Sequence, residues 1–129
     1  MIRFILYIHC DSGAEGQALE QAVQTRFASV QREVCPDLEA LREALKKPAP
    51  YGDLNAFVLL ADTPERLEEL LELIQFLENK QVLIILPDME KSSFVNAFLM
   101  RPRYITQRSK TFTDVCDVLE KMIANHNRQ

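Results

Sequence analysis

The groups able to do chemistry fall at four places along the chain: His9, Cys10 and Asp11; Asp62 with Thr63; Pro87 with Asp88; and Lys110. Asp62 ends the apolar run "AFVLLAD", the position of a phosphoryl acceptor or a magnesium ligand. It is equally the position of an acid at a helix start. Asp62 and Glu65 stand three apart, and both favour the positive end of a helix dipole. Asp11 precedes a helical segment and carries the same two readings. Asp11, Asp62 and Asp88 together would suit a hard cation with oxygen ligands. Cys10 is a candidate nucleophile, since a thiolate between a strand end and a helix N-terminus is stabilised. His9 is a candidate base beside it, although one histidine without a partner makes no triad.

These groups need a frame, and the bulk composition says which kind. The 129 residues make one domain with one sizeable core. Apolar residues at 47% and charged residues at 26% fit a globular chain rather than a disordered or coiled-coil one. A net charge of -4 disfavours nucleic acid as a partner. "FVLLA" and "VLIIL" are too short to span a bilayer. "MIRFILYIHCD" lacks the small-residue cleavage site of a secretion signal and reads as a first strand. Three cysteines, Cys10, Cys35 and Cys116, at no metal-like spacing fit free thiols in the cytoplasm.

Strand and helix patterns then alternate five times. Strands are expected at 2–8, 30–34, 55–61, 82–86 and 103–107. Ser12 and Glu15 have capping-box spacing ahead of a helix carrying Leu19, Ala22, Val23 and Phe27 on one face. Asp37 is the expected N-cap of a helix bearing Leu38, Leu41 and Leu45. "KKPAPYGD" is a loop. Thr63-Pro64 begins a helix running to about Asn79, and a shorter one is expected from Ser93 to Met100. The last helix aligns Val115, Val118, Leu119, Met122 and Ile123.

Such alternation implies a parallel sheet with helices on both sides. The first, third and fourth strands are almost wholly apolar, as central strands covered on both faces should be. "VQREV" and "RYITQ" carry polar residues and suit the edges. The expected fold is therefore a three-layer α/β/α, doubly wound, flavodoxin-like sheet in the order 2-1-3-4-5. In that fold ligands bind beyond the carboxyl ends of the strands, where His9, Cys10, Asp11, Asp62, Pro87, Asp88 and Lys110 converge.

Several chemistries fail on their neighbours. A cysteine-dependent phosphatase loop needs an arginine six positions after the cysteine, where this chain has Gly16 with Glu15 beside it. The hydroxyl-rich loop of a sugar-phosphotransferase IIB component is not matched by "CDSGAEG". Flavin binding lacks both a hydroxyl-rich phosphate loop and any tryptophan to stack on the ring.

Over nearly its whole length the chain resembles the response-regulator receiver family. "FILYIHCDSG" resembles the first strand and acidic turn, and "VQREVCPDLEALREAL" the second strand and helix. "NAFVLLAD" is similar to the strand leading to the phospho-acceptor aspartate, "VLIILPD" to the fourth strand, and "SKTFTDVCDVLEKMI" to the lysine-led turn into the last helix. The resemblance implies a receiver-like domain over 1–129, and the departures from it imply a degenerate one. His9 and Cys10 stand where two metal-binding acids belong, with Asp11 just beyond. The acceptor position falls on Ala61, and on Asp62 only with a one-place shift. Pro87 replaces the hydroxyl residue, and Lys110 is displaced and lacks the following proline.

Successive strand residues face opposite ways, so a one-place shift matters. Phosphoryl transfer needs a metal, an in-line carboxylate and donors for the equatorial oxygens. The expectation is a non-catalytic pseudo-receiver with no cofactor, either stand-alone or part of a larger protein. It would act on a protein partner, or as a homodimer, through the fourth helix, fifth strand and fifth helix. Arg101, Arg103, Tyr104 and Arg108 are its candidate contact residues. Charges that keep an edge strand from aggregating explain the same residues. The alternative is an active, atypical receiver phosphorylated on Asp62, with Mg2+ held by Asp11 and Asp62. An enzyme using Cys10 is the third class.

Overall fold

The alternation of the sequence appears directly in the computed structural model, which describes residues 1–128. The elements run β1 (Ile2–Tyr7), α1 (Gly13–Arg26), β2 (Gln31–Cys35), α2 (Leu38–Lys46), β3 (Leu54–Leu60) and α3 (Pro64–Leu70). A 3-10 turn (Leu71–Leu73) leads into the short α4 (Ile74–Leu77). There follow β4 (Gln81–Leu86), α5 (Lys91–Leu99), β5 (Tyr104–Gln107) and α6 (Thr113–Asn127). The five strands form one sheet, every neighbouring pair parallel, in the order β2-β1-β3-β4-β5. This is the flavodoxin-like α/β/α arrangement.

Strand alternation feeds two separate cores. Phe57, Leu59 and Ala61 join Ile5, Tyr7, Ile84 and Leu86 on the face covered by α2, α3, α4 and α5. Ala56, Val58 and Leu60 join Phe4, Leu6, Leu83 and Ile85 on the face covered by α1 and α6. A central strand therefore has few side chains free to be polar, and β1, β3 and β4 are apolar apart from Arg3, Asn55 and Gln81 near their amino ends. Leu59 and Ile84 have no exposed surface, and truncating either to alanine would cost roughly 2–5 kcal/mol.

Two helix ends depart from expectation. The helix after Pro64 is not continuous, because Leu67, Leu70 and Leu73 are spaced by threes and all are fully buried. An α-helix would rotate that spacing off the core, whereas one 3-10 turn keeps it facing inward. Ser12 precedes α1 but makes no side-chain cap, so the expected capping box with Glu15 does not form. Asp37 and Thr63 do cap, accepting from the backbone N–H of Ala40 at 2.8 Å and of Arg66 at 3.1 Å.

Within α1, Gly16 is held against β1. A Cβ at this position would lie 2.4 Å from Ile8 Cγ2 and 3.0 Å from Ser12 Cβ. The close approach sets where α1 starts, and with it the placement of Ser12 and Glu15. At its far end α1 is tied to α6, Arg26 donating to Asp117 at 2.6 Å and to Glu120 at 2.8 Å.

Candidate functional site

The carboxyl ends of β1, β3 and β4 and the turn after β5 meet around Asp62, through contacts from Ser12, Arg66 and Arg108, at the edge where a doubly wound sheet forms its ligand crevice. The side chain just before Asp62, Ala61, follows the last residue of β3, packs on the α2–α5 face and is fully buried. Ala61 thus offers only a methyl group, and that into the core. Asp62 sits past the strand, its side chain only 11% exposed. Both of its oxygens have partners: Oδ1 accepts from Arg66 Nε at 3.1 Å, and Oδ2 accepts from the Ser12 hydroxyl at 3.3 Å. The helix-capping role belongs to Thr63 instead.

Arg66 is itself 13% exposed. Burial opposes its charge, but the hydrogen bond and attraction of Asp62 outweigh burial and hold its pKa above the ordinary value. Beneath them, burial pushes the Tyr7 phenol up to about 12, with Arg66 acting against the shift and Glu69, Asp62 and Asp37 adding to it.

A second ion pair crosses the mouth of the crevice. Arg108, just after β5, donates through Nε to Glu15 Oε2 at 2.8 Å and through Nη2 to Glu15 Oε1. Its Nη1 donates to the carbonyls of Pro87 at 3.2 Å and Asp62 at 3.3 Å. One guanidinium thereby links the ends of β3, β4 and β5 to the first turn of α1. Glu15, which would have repelled an anion if unpaired, is neutralised by this contact.

Asp11 is 78% exposed, 3.7 Å from His9 Nδ1. Asp88 accepts from the Glu90 N–H at 2.9 Å and the buried Ser93 hydroxyl at 2.7 Å, closing the start of α5. Among the described residues, the groups gathered closely enough to share an ion are His9, Cys10 and Asp11. Asp11, Asp62 and Asp88 are therefore not brought together as a three-carboxylate site. Lys110 is exposed and makes no ion pair among the described residues; Arg108, two residues earlier, occupies the crevice.

Cys10 is exposed, its sulfur 3.8 Å from His9 Nδ1. That nitrogen already accepts the Asp11 backbone N–H at 3.0 Å, so its lone pair is committed away from the thiol. Burial raises the pKa of Cys35 to about 11 and raises that of Cys116, so neither is a nucleophile.

The basic residues around Tyr104 divide between the two ends of β5. Arg103 precedes the strand and Arg108 follows it, about 17 Å away at about 3.3 Å per extended residue step. Arg101 and Arg103 lie at the amino end with Tyr104, while Arg108 and Lys110 lie at the crevice. Arg66, Ser12 and Glu15 are the site residues that sequence reasoning did not select. Arg66 had a signal, since an acid and an arginine four apart form a helix ion pair.

Comparison with protein-family models, curated proteins and solved structures finds no match to this chain.

Proposed function

We propose that the chain is a non-catalytic signalling module, a receiver-like domain whose phosphorylation pocket has been replaced by internal ion pairs. It acts in the cytoplasm through protein-protein contact across α5, β5 and α6. One observation carries this reading: both arginines at the crevice are already bound to the chain's own acids, Arg66 to Asp62 and Arg108 to Glu15. Phosphoryl transfer needs unspent donors for the equatorial oxygens and a metal beside an in-line carboxylate. Here the carboxylate is held by Arg66 and Ser12, and the expected hydroxyl position is Pro87.

The contact face is supported by exposure. Val95, Phe98 and Leu99 lie on one side of α5 and are 49%, 64% and 54% exposed, an apolar stripe that a partner would cover. Among the described residues no helix is long and apolar enough to cross a membrane. Incubation with acetyl phosphate and Mg2+, followed by intact-mass measurement of wild type and Asp62→Asn, tests the proposal. No adduct is expected on either protein. An adduct on wild type alone would establish the active-receiver alternative, with Asp62 as acceptor and Mg2+ near Asp11.

A further inference from the structure

The opposite end of the sheet has the reverse electrostatic character. Between the end of α4 and the α5–β5 connection runs a groove of about 740 Å3. Lys80, Arg101 and Arg103 line it against a single carboxylate, Glu78. Among the described residues none of these three cations is ion-paired, unlike Arg26, Arg32, Arg42, Lys46, Arg66 and Arg108. Ile74 and Leu99, which are 41% and 54% exposed, supply apolar walls. A neighbouring cavity at the same end shares Lys80 and sets Lys47 against Asp53, so the excess of positive charge belongs to the groove itself. This is a concentration of positive charge on a chain whose net charge is -4.

Arg101 occupies its place at a conformational cost. It follows α5 with φ of 50° and closes the helix by donating its N–H to the Phe98 carbonyl at 3.0 Å. Left-handed residues at helix ends are most often glycine, because a Cβ is disfavoured there. The equivalent position after α4 holds Asn79, with φ of 64°, a residue that tolerates the conformation. An arginine at the more demanding position puts a guanidinium on the rim of the groove where glycine would make the better helix end.

We propose that this groove docks a short acidic peptide segment of a partner protein, its carboxylates on Lys80, Arg101 and Arg103 and its apolar side chains against Ile74 and Leu99. The inference rests on the protein-contact reading above and names the chemistry of the partner. Charge complementarity favours an acidic occupant. A long polyanion would also meet the acids on the rest of the surface, which a short segment confined to the groove avoids. The apolar walls favour a peptide carrying leucine-like side chains over a nucleic acid strand.

The test uses a fluorescein-labelled twelve-residue peptide alternating Glu-Glu with Leu-Leu, followed by fluorescence anisotropy against the full chain. Saturable binding is expected, weakened about tenfold by Arg101→Gly or Arg103→Glu and weakened by added salt. Lys46→Glu, outside the groove, should leave it unchanged. Arg101→Gly should melt no lower than wild type, so lost binding would not reflect unfolding. Absence of binding, or binding indifferent to both arginine variants, overturns the proposal. Equal binding of an all-glutamate peptide or of an oligothymidylate also overturns it, as would self-association of the chain alone that Arg101→Gly abolishes. None of these failures bears on the crevice, whose reading is tested separately at Asp62.

Discussion

Arg108 and Glu15 are 93 residues apart in the chain and meet through two guanidinium-to-carboxylate hydrogen bonds across the mouth of the crevice. The arginine also holds the carbonyls of Pro87 and Asp62. It fastens α1 to the ends of three strands at the point where a doubly wound sheet would otherwise open to a ligand. A bidentate pair of this kind fixes geometry as well as contributing energy.

The strength of this contact is measurable by a double-mutant cycle. Arg108→Ala and Glu15→Gln, alone and together, are expected to give a coupling energy on the order of 1 kcal/mol in urea unfolding. The coupling should shrink as salt is added, because Arg108 is 44% exposed. Additive effects of the two substitutions would show that the pair contributes nothing.

Removing the charge of Asp62 leaves Arg66 in a site where it is only 13% exposed. Asp62→Asn should therefore destabilise the fold by about 1–3 kcal/mol, because the part-buried guanidinium keeps only the longer Glu69 contact at 3.7 Å. The urea midpoint should fall with an unchanged m value. Reduced midpoint loss is expected when Arg66→Met accompanies the change, since both charges then go together.

Gly16→Ala gives a purely steric check on the placement of α1. Helix propensity alone favours alanine by about 1 kcal/mol. The added Cβ would meet Ile8 Cγ2 at 2.4 Å, and overpacking costs about 1–3 kcal/mol. A net loss of thermal stability is expected; a gain would mean that α1 does not pack this closely on β1.

Alkaline conditions should unfold the chain through Cys35 and Tyr7. Burial raises Cys35 from 9.0 to about 11 and Tyr7 from 10.0 to about 12. The unfolded chain then releases these protons first, so their contribution is intact below pH 9 and falls as pH rises from 9 to 12. Tyr7→Phe should flatten the upper part of the fall and Cys35→Ala the lower part, as read by urea midpoints across that range.

The sheet order was legible because burial on two faces forces apolar runs into β1, β3 and β4 and leaves polar residues for β2 and β5. The site was legible only where its contacts are local. Thr63 and Asp37 announced themselves as caps, and the Asp62–Arg66 pair had helix spacing. Ser12 looked like a cap, but it donates to Asp62, a residue 50 positions away. The Arg108–Glu15 contact had no local signature, since it exists only once the fold brings the end of β5 to the start of α1. Arg101, Arg103 and Arg108 looked like one patch because they are close in sequence. Strand geometry puts them at opposite ends of the sheet.

The most direct measurement of the closed crevice is amide NMR during titration with Mg2+ and beryllofluoride, a stable mimic of the phosphoryl group. No saturable shifts are expected at Ser12, Asp62, Arg66 or Arg108, because the donors and the carboxylate there are already engaged with one another. Saturable shifts at those residues, absent in Asp62→Asn, would contradict it.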